Sequence, residues 1–258
     1  MSAKRIHTLG LAVFACLLAP VADSHNDPHW TYDEQKKWGV LVDPTYNPKF
    51  PYAECAIGQK QSPVNIDSTD VHKTDDIDEM NIDYAANPLS VTNNGHTLRV
   101  NVSSGNLHIG RNLYSLAQYH FHAPSEHHLD GTGYPLEIHF VHGTEDGRLA
   151  VIAVFMQTGE FNPEFQKILD AAPQKAGATT TDDATLSDPN LLLPKNRKNF
   201  YTYAGSLTTP PCNEGVQWYV MTETVQASAE QIEWFINTYY RNNARGEQRL
   251  NGRHLLMH

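Results

Sequence analysis

The stretch YHFHAPSEHHLDGTGYPLEIHFVH, residues 119–142, holds six of the chain's 14 histidines. Side chains of an extended strand alternate between its two faces, so His120 and His122 point one way while Tyr119 and Phe121 point the other, toward a core. After the turn-rich residues 123–135 the chain resumes as LEIHFVH, with Leu136, Ile138 and Phe140 on one face and Glu137, His139 and Val141 on the other. If the two runs pair as antiparallel neighbours, His139 joins the face of His120 and His122. Three imidazoles with an open fourth tetrahedral position make a catalytic zinc site and not a structural one. His127 and His128 fall in the connecting loop, and His142 has the parity of Phe140 and reads as a hydrogen-bonded core histidine, so these three are set aside as ligands.

Outward from this stretch, short alternating or β-rich runs dominate: LSVTNNGHTLRVNV, YSLAQYHFH, LAVIAVFM and VQWYVMTETV, separated by Gly, Asn, Asp and Pro clusters. The reading is a mainly β (α+β) chain with mostly antiparallel pairing. Two helices are expected, one after Asn162-Pro163 and one after Ser228, whose capping box with Gln231 opens AEQIEWFINTYY. Residues 172–199 read as a long surface connection leading back into a strand. No internal repeat or low-complexity linker divides the chain, which implies a single domain.

The 258 residues, 40% of them hydrophobic, supply enough apolar material for one large core. Net charge is −10, and the Lys and Arg residues are scattered instead of forming a stripe, which argues against nucleic acid as a partner. The N-terminus places Lys4 and Arg5 before an apolar run and small residues around Ala19 to Ala22, the pattern of a signal peptide over residues 1–22 ahead of a mature chain of residues 23–258. The run is too short for a spanning helix, so no transmembrane anchor is expected, and a periplasmic or secreted location follows. VFAC, ending at Cys16, faintly resembles a lipidation motif, but the apolar residues that continue beyond it argue against that use. Loss of the leader leaves Cys55 and Cys212 in an oxidising compartment, where a disulfide between them is expected.

Several separate motifs, in order, are similar to those of α-class carbonic anhydrases: HWTY from His29, QSPVNI from Gln61, NNGH from Asn93, QYHFH from Gln118, SEHH from Ser125, EIHFVH from Glu137, LLLP from Leu191, GSLTTPPC from Gly205, and Val216-Gln217-Trp218. The resemblance covers essentially the whole mature chain. It implies a large, twisted, mainly antiparallel central sheet with a few peripheral helices and zinc at the bottom of a conical cleft. It also implies reversible hydration of carbon dioxide to bicarbonate and a proton by zinc-bound hydroxide. The ligand set it carries, His120, His122 and His139, is the one reached from strand parity. Three neutral imidazoles leave the full charge of the metal on the site, which is what ionising water near neutral pH requires.

The same resemblance assigns further roles. Gln118, Glu137 and the backbone near Asn243 would orient the imidazoles. Thr208 would accept from the nucleophile and donate to the buried carboxylate of Glu126. Val141, Val151, Leu207 and Trp218 would form an apolar wall for carbon dioxide, with Thr209 touching bicarbonate. His96 would shuttle protons to bulk buffer along water lined by Tyr32 and Asn94. Two departures from the family pattern stand out: Arg99, where a neutral amide is usual and from which a cation would disfavour protonated His96, and Gly246, where proline normally follows the arginine. A non-catalytic binding member of the same fold is the competing class, but such relatives typically lose a ligand histidine. The oligomeric state is left open between monomer and homodimer.

Overall fold

The long central strands form where apolar residues recur at every second position. In the computed structural model, which describes residues 28–44 and 48–258, the strands are β1 (Asn65–Ile66), β2 (Val71–Lys73), β3 (Met80–Asp83), β4 (Asn87–Asn93), β5 (Leu98–Asn101), β6 (Asn106–Ile109), β7 (Asn112–His122), β8 (His128–Leu129), β9 (Leu136–Gly143), β10 (Leu149–Thr158), β11 (Thr179–Ser187), β12 (Phe200–Ser206), β13 (Glu214–Met221), β14 (Val225–Ala227) and β15 (Leu255–Met257). The proposed leader and Cys16 lie outside the described residues. Thirteen of these strands join one sheet whose main path runs β11-β4-β5-β7-β9-β10-β13-β12-β15-β2. Antiparallel ladders predominate, as expected, but the sheet is mixed: β10 pairs parallel with both β13 and β14, and β15 with β2.

The two faces of the central strands serve different ends. Tyr119, Phe121, Ile138 and Phe140 lie wholly buried in the larger apolar core, together with Phe165 and Phe235 from the two helices. The helix Pro163–Ala171 starts where the Asn162 side chain accepts from the amides of Glu164 and Phe165, and Ala229–Thr238 starts with the full Ser228/Gln231 capping box. Both were legible from their caps. The opposite face of β10, β12 and β13 carries a second apolar cluster containing Val151, Tyr203, Val216 and Trp218. No helix among the described residues is long and apolar enough to cross a membrane.

Residues 172–199 depart from the expected surface connection. Their threonine-rich middle is β11, which pairs antiparallel with β4 at the sheet edge, and a 3-10 turn, Pro189–Leu192, follows. Most of β11 is exposed, so it lacks the apolar alternation that marks a strand from sequence, and its pairing depends on the neighbouring edge. Also unread in the sequence were the 3-10 helix Tyr32–Val40 and the short helix Glu54–Ile57. Tertiary contacts hold the first: Trp38 is fully buried, its Nε1 donates to the Thr31 carbonyl, and the Arg245 guanidinium lies 5.8 Å from its ring. Cys55 and Cys212 form the expected disulfide, joining residues 157 apart. Gly246, in place of proline, keeps an N–H that donates to Gln35 Oε1 at 2.7 Å, a bond proline could not make.

Candidate metal centre and active site

The β7/β9 ladder pairs His120 with His139, and the next positions on the same face with Gln118 opposite Val141 and His122 opposite Glu137. His120, His122 and His139 therefore converge, each offering a ligand atom within 4.8 Å of the others. One nitrogen of each ring is already engaged: His120 Nδ1 with Gln118 Oε1 at 2.9 Å, His122 Nδ1 with the Asn243 carbonyl at 2.7 Å, and His139 Nε2 with Glu137 Oε1 at 2.7 Å. These acceptors fix the tautomers and leave Nε2 of His120, Nε2 of His122 and Nδ1 of His139 without a hydrogen bond among the described residues. His122 Nε2 is also buried, a costly state for a polar atom without a partner. Burial, then the neighbouring His122 and His139, holds the His120 pKa well below its ordinary value, and burial lowers that of His122. Neutral imidazoles with free nitrogens are the donor set zinc takes, so the residues fit the metal.

Glu137 is more than a partner of His139. It accepts from His139 Nε2 and His127 Nδ1, both at 2.7 Å, and from the backbone amides of Glu126 and His127 at 2.7 and 2.8 Å. Burial alone would raise its pKa, but His127 and His139, by charge and hydrogen bond, hold it well below the usual carboxylate range. His127, set aside as a loop residue, is fully buried. Its Nε2 meets Tyr203 Oη at 2.6 Å, and Tyr203 donates on to Ser62 Oγ at 2.9 Å. Loops carry no periodicity from which burial can be read, so the only signal for His127 was its place in SEHH. His127, Glu137 and His139 also meet the spacing for a metal, but their facing atoms are bonded to one another.

Glu126 is fully buried beside the triad, with Oε1 accepting from the Arg245 amide at 2.8 Å and Oε2 left without a partner among the described residues. Its carboxylate lies 3.5 Å from His122 Nδ1 and 3.8 Å from His139 Nδ1. Thr208 is buried in a turn closed by Leu207 N to Asn213 O at 3.0 Å and Cys212 N to Thr209 O at 2.9 Å, and the disulfide anchors its far end. Among the described residues no hydrogen bond joins Thr208 to Glu126, and Glu126 Oε2 is the buried atom left unpartnered. Thr209 beside it is half-buried.

The expected wall is a row across three strands. Val141 of β9 pairs with Val151 of β10, which pairs with Trp218 of β13, and Leu207 packs on the same cluster. The Trp218 ring stands 4.8 Å from that of His139, and its Nε1 is spent on the Ser206 carbonyl, so it presents apolar surface to the site.

At the rim, His96 stacks on Trp30 with centroids 3.8 Å apart and planes 8° from parallel, and Tyr32 approaches edge-on at 6.4 Å. His29, Trp30, Tyr32, His96 and Tyr240 line a shared hollow. Burial, then the charge of His29, lowers the His96 pKa. Arg99 is not among the causes, which corrects the expected effect of that cation: it lies opposite His120 in the β5/β7 ladder and belongs to the triad's surroundings. Burial, then the charge of Glu126, pushes Tyr32 well above the ordinary tyrosine range and keeps its hydroxyl protonated. Asn94 is exposed, and its Oδ1 accepts from the amides of His96 and Thr97, so its carbonyl shapes the His96 turn.

The chain matches the family described as eukaryotic-type carbonic anhydrase over residues 34–257. It is 39% identical over 250 residues to a carbonic anhydrase of Pectobacterium atrosepticum, across 95% of this chain and 96% of that protein. Among solved structures, the α-carbonic anhydrase of Thermovibrio ammonificans, in complex with the inhibitor sulfanilamide, aligns with a TM-score of 0.82 at 39% identity, covering 89% of this chain and 99% of that one. The α-carbonic anhydrase of Photobacterium profundum aligns at 0.79 and 37% identity, covering 88% and 100%. Sequence and fold agree over nearly the full length of both partners, and the chain belongs to the eukaryotic-type, or α, carbonic anhydrase family.

Proposed function

We propose that this protein is an exported zinc enzyme, with a leader at residues 1–22 and a catalytic unit over residues 23–258, that interconverts carbon dioxide and bicarbonate. The observation that carries the metal is the triad itself: three converging imidazoles, each tied at one nitrogen and free at the other. His120, His122 and His139 would hold a zinc ion, which when bound would supply the Lewis acidity that ionises water near neutral pH. Glu137, Gln118 and the Asn243 carbonyl keep the rings in the tautomer that faces inward. Thr208 and Glu126 would orient the nucleophile through a bond that this structure does not contain: an ionised carboxylate only accepts, so a Thr208 hydroxyl turned to donate to the unpartnered Glu126 Oε2 would have to accept from the attacking group. The row of Val141, Val151 and Trp218, with Leu207, receives carbon dioxide, which has no net dipole and gains little from hydrogen bonds. Thr209, at the same turn, contacts bicarbonate. His96, half-exposed at the rim beside Tyr32, takes the proton each turnover releases and passes it to buffer.

The test is stopped-flow hydration on the mature protein with zinc quantified on the same sample, together with titration by sulfanilamide, the inhibitor bound to the Thermovibrio ammonificans enzyme. One equivalent of zinc, rapid hydration and inhibition by sulfanilamide are expected. A fully metallated protein without hydration activity would make it a binding member of the family. Peptide sequencing of the exported form tests the leader.

A further inference from the structure

Arg99 occupies a different environment from the other partly buried arginines. Arg245 donates to Gln61 Oε1 and to the Ser62 and Cys55 carbonyls, and Arg253 donates to the carbonyls of Ala204, Gln61, Leu250 and Arg249. Arg99 makes one hydrogen bond, from Nε to Asn101 Oδ1 at 3.0 Å, and no ion pair among the described residues. Both terminal nitrogens, which carry most of a guanidinium's N–H donors, are unspent. The side chain is nevertheless braced. Asn101 Nδ2 is engaged by Thr92 Oγ1 at 2.9 Å and Ser90 Oγ at 3.1 Å, so the Asn101 carbonyl is held toward Arg99, and Thr92 is itself bonded to Thr179 of β11 at 2.8 Å.

Its direction follows from register. Leu98 and Val100 of β5 enter the large core, so Arg99 points to the opposite face, and its partner across the ladder is His120. Directly paired strand residues share a face, so the guanidinium stands beside the triad on the side away from Val141, Val151 and Trp218. Its charge is also among those that depress the His120 pKa, after burial and the other two histidines. A planar, permanently charged fork with free donors, half-buried next to a metal-binding triad, matches a carboxylate.

We propose that Arg99, braced by Asn101, forms an anion subsite that binds the carboxylate of a ligand whose other end lies at the histidine triad. The subsite makes the cleft selective for anionic ligands, and the inference rests on the metal-centre reading above.

The test measures the affinity of the zinc-loaded protein, by calorimetry, for neutral sulfanilamide and for 3- and 4-carboxybenzenesulfonamide, in the wild type, Arg99→Asn and Arg99→Lys. For at least one carboxylate isomer, the preference over sulfanilamide should fall about fivefold or more in Arg99→Asn, within the range of a partly exposed charge-assisted hydrogen bond. Arg99→Lys should retain part of the preference, and added salt should weaken it in the wild type. Sulfanilamide affinity should stay unchanged in both variants, which also shows that they are folded. If sulfanilamide binds normally but Arg99→Asn keeps the carboxylate preference of both isomers, the subsite is wrong and the metal centre stands. If Arg99→Asn weakens all three compounds equally, Arg99 only supports His120 and the subsite is again wrong. If sulfanilamide binds none of the proteins, the metal-centre reading itself fails.

Discussion

His139 and His142 sit three residues apart on β9, both buried, yet they belong to regions with opposite chemistry. His142 faces the large core and uses both ring nitrogens, Nε2 with Tyr84 Oη at 2.6 Å and Nδ1 with the Ala150 carbonyl at 3.1 Å. His139 faces the triad and uses only Nε2. Burial does not separate a structural histidine from a ligand, and neither does a single hydrogen bond. What separates them is the nitrogen left over.

The sharpest way to break this comparison is to remove each ring in turn. His139→Ala should lose stoichiometric zinc and, with it, hydration activity by orders of magnitude. His142→Ala should keep about one equivalent of zinc while losing roughly 2–4 kcal/mol of stability to a cavity and the partners left unbonded. Metal analysis beside urea unfolding decides it; zinc retained at one equivalent in the His139 variant would end the assignment. Next in size is Glu137→Ala, which strips the acceptor from two imidazoles and two backbone amides. Zinc affinity should drop about 10- to 100-fold, and stability by about 3–5 kcal/mol, read by chelator competition and denaturation.

The core histidine also predicts an acid response. Burial takes the His142 pKa down to about 3, so the unfolded chain binds the proton that the folded chain refuses. Its contribution is fully present above about 6.5 and declines as pH falls, by about 1.4 kcal/mol per unit until about pH 3. Between pH 7 and 5 the wild type should therefore lose about 2 kcal/mol more than His142→Gln, and parallel unfolding curves for the two proteins would refute it.

The smallest effect belongs to the rim, where aromatic stacking replaces strand pairing. His96→Ala should slow hydration several-fold in dilute buffer and recover with added imidazole, without a change in zinc affinity. Isotope exchange between carbon dioxide and bicarbonate at equilibrium needs no net proton release and should stay intact. Loss of exchange in step with hydration would place His96 in support of the metal site.

Much of this was legible before any coordinates. The two helices announced themselves through Asn162-Pro163 and the Ser228/Gln231 box because caps are local hydrogen bonds. The cysteine pair followed from the expectation of an oxidising compartment and an even count. β11 was missed because its solvent-facing threonines and aspartates show no apolar alternation, and β4 supplies its pairing from about 90 residues away in sequence. His127 was missed for a related reason: a buried loop residue is identified by its partners, and one of these is Tyr203, 76 positions distant.

The sequence by itself placed His120 and His122 on one face of their strand and His139 on the face of Glu137 and Val141 in its own, because side-chain alternation along a strand is a property of the backbone and needs no neighbour. That the two faces are one was decided by the pairing of β7 with β9, which sets His139 opposite His120. Tertiary structure decided which nitrogen of each ring stays free, since the acceptors come from different depths of the chain: Gln118 and Glu137 two residues from their histidines, but the carbonyl that holds His122 from Asn243, 121 residues away. It also decided where Arg99 points. Sequence proximity suggested His96, three residues back, whereas strand register, set by pairing across β5 and β7, turned the charge toward His120.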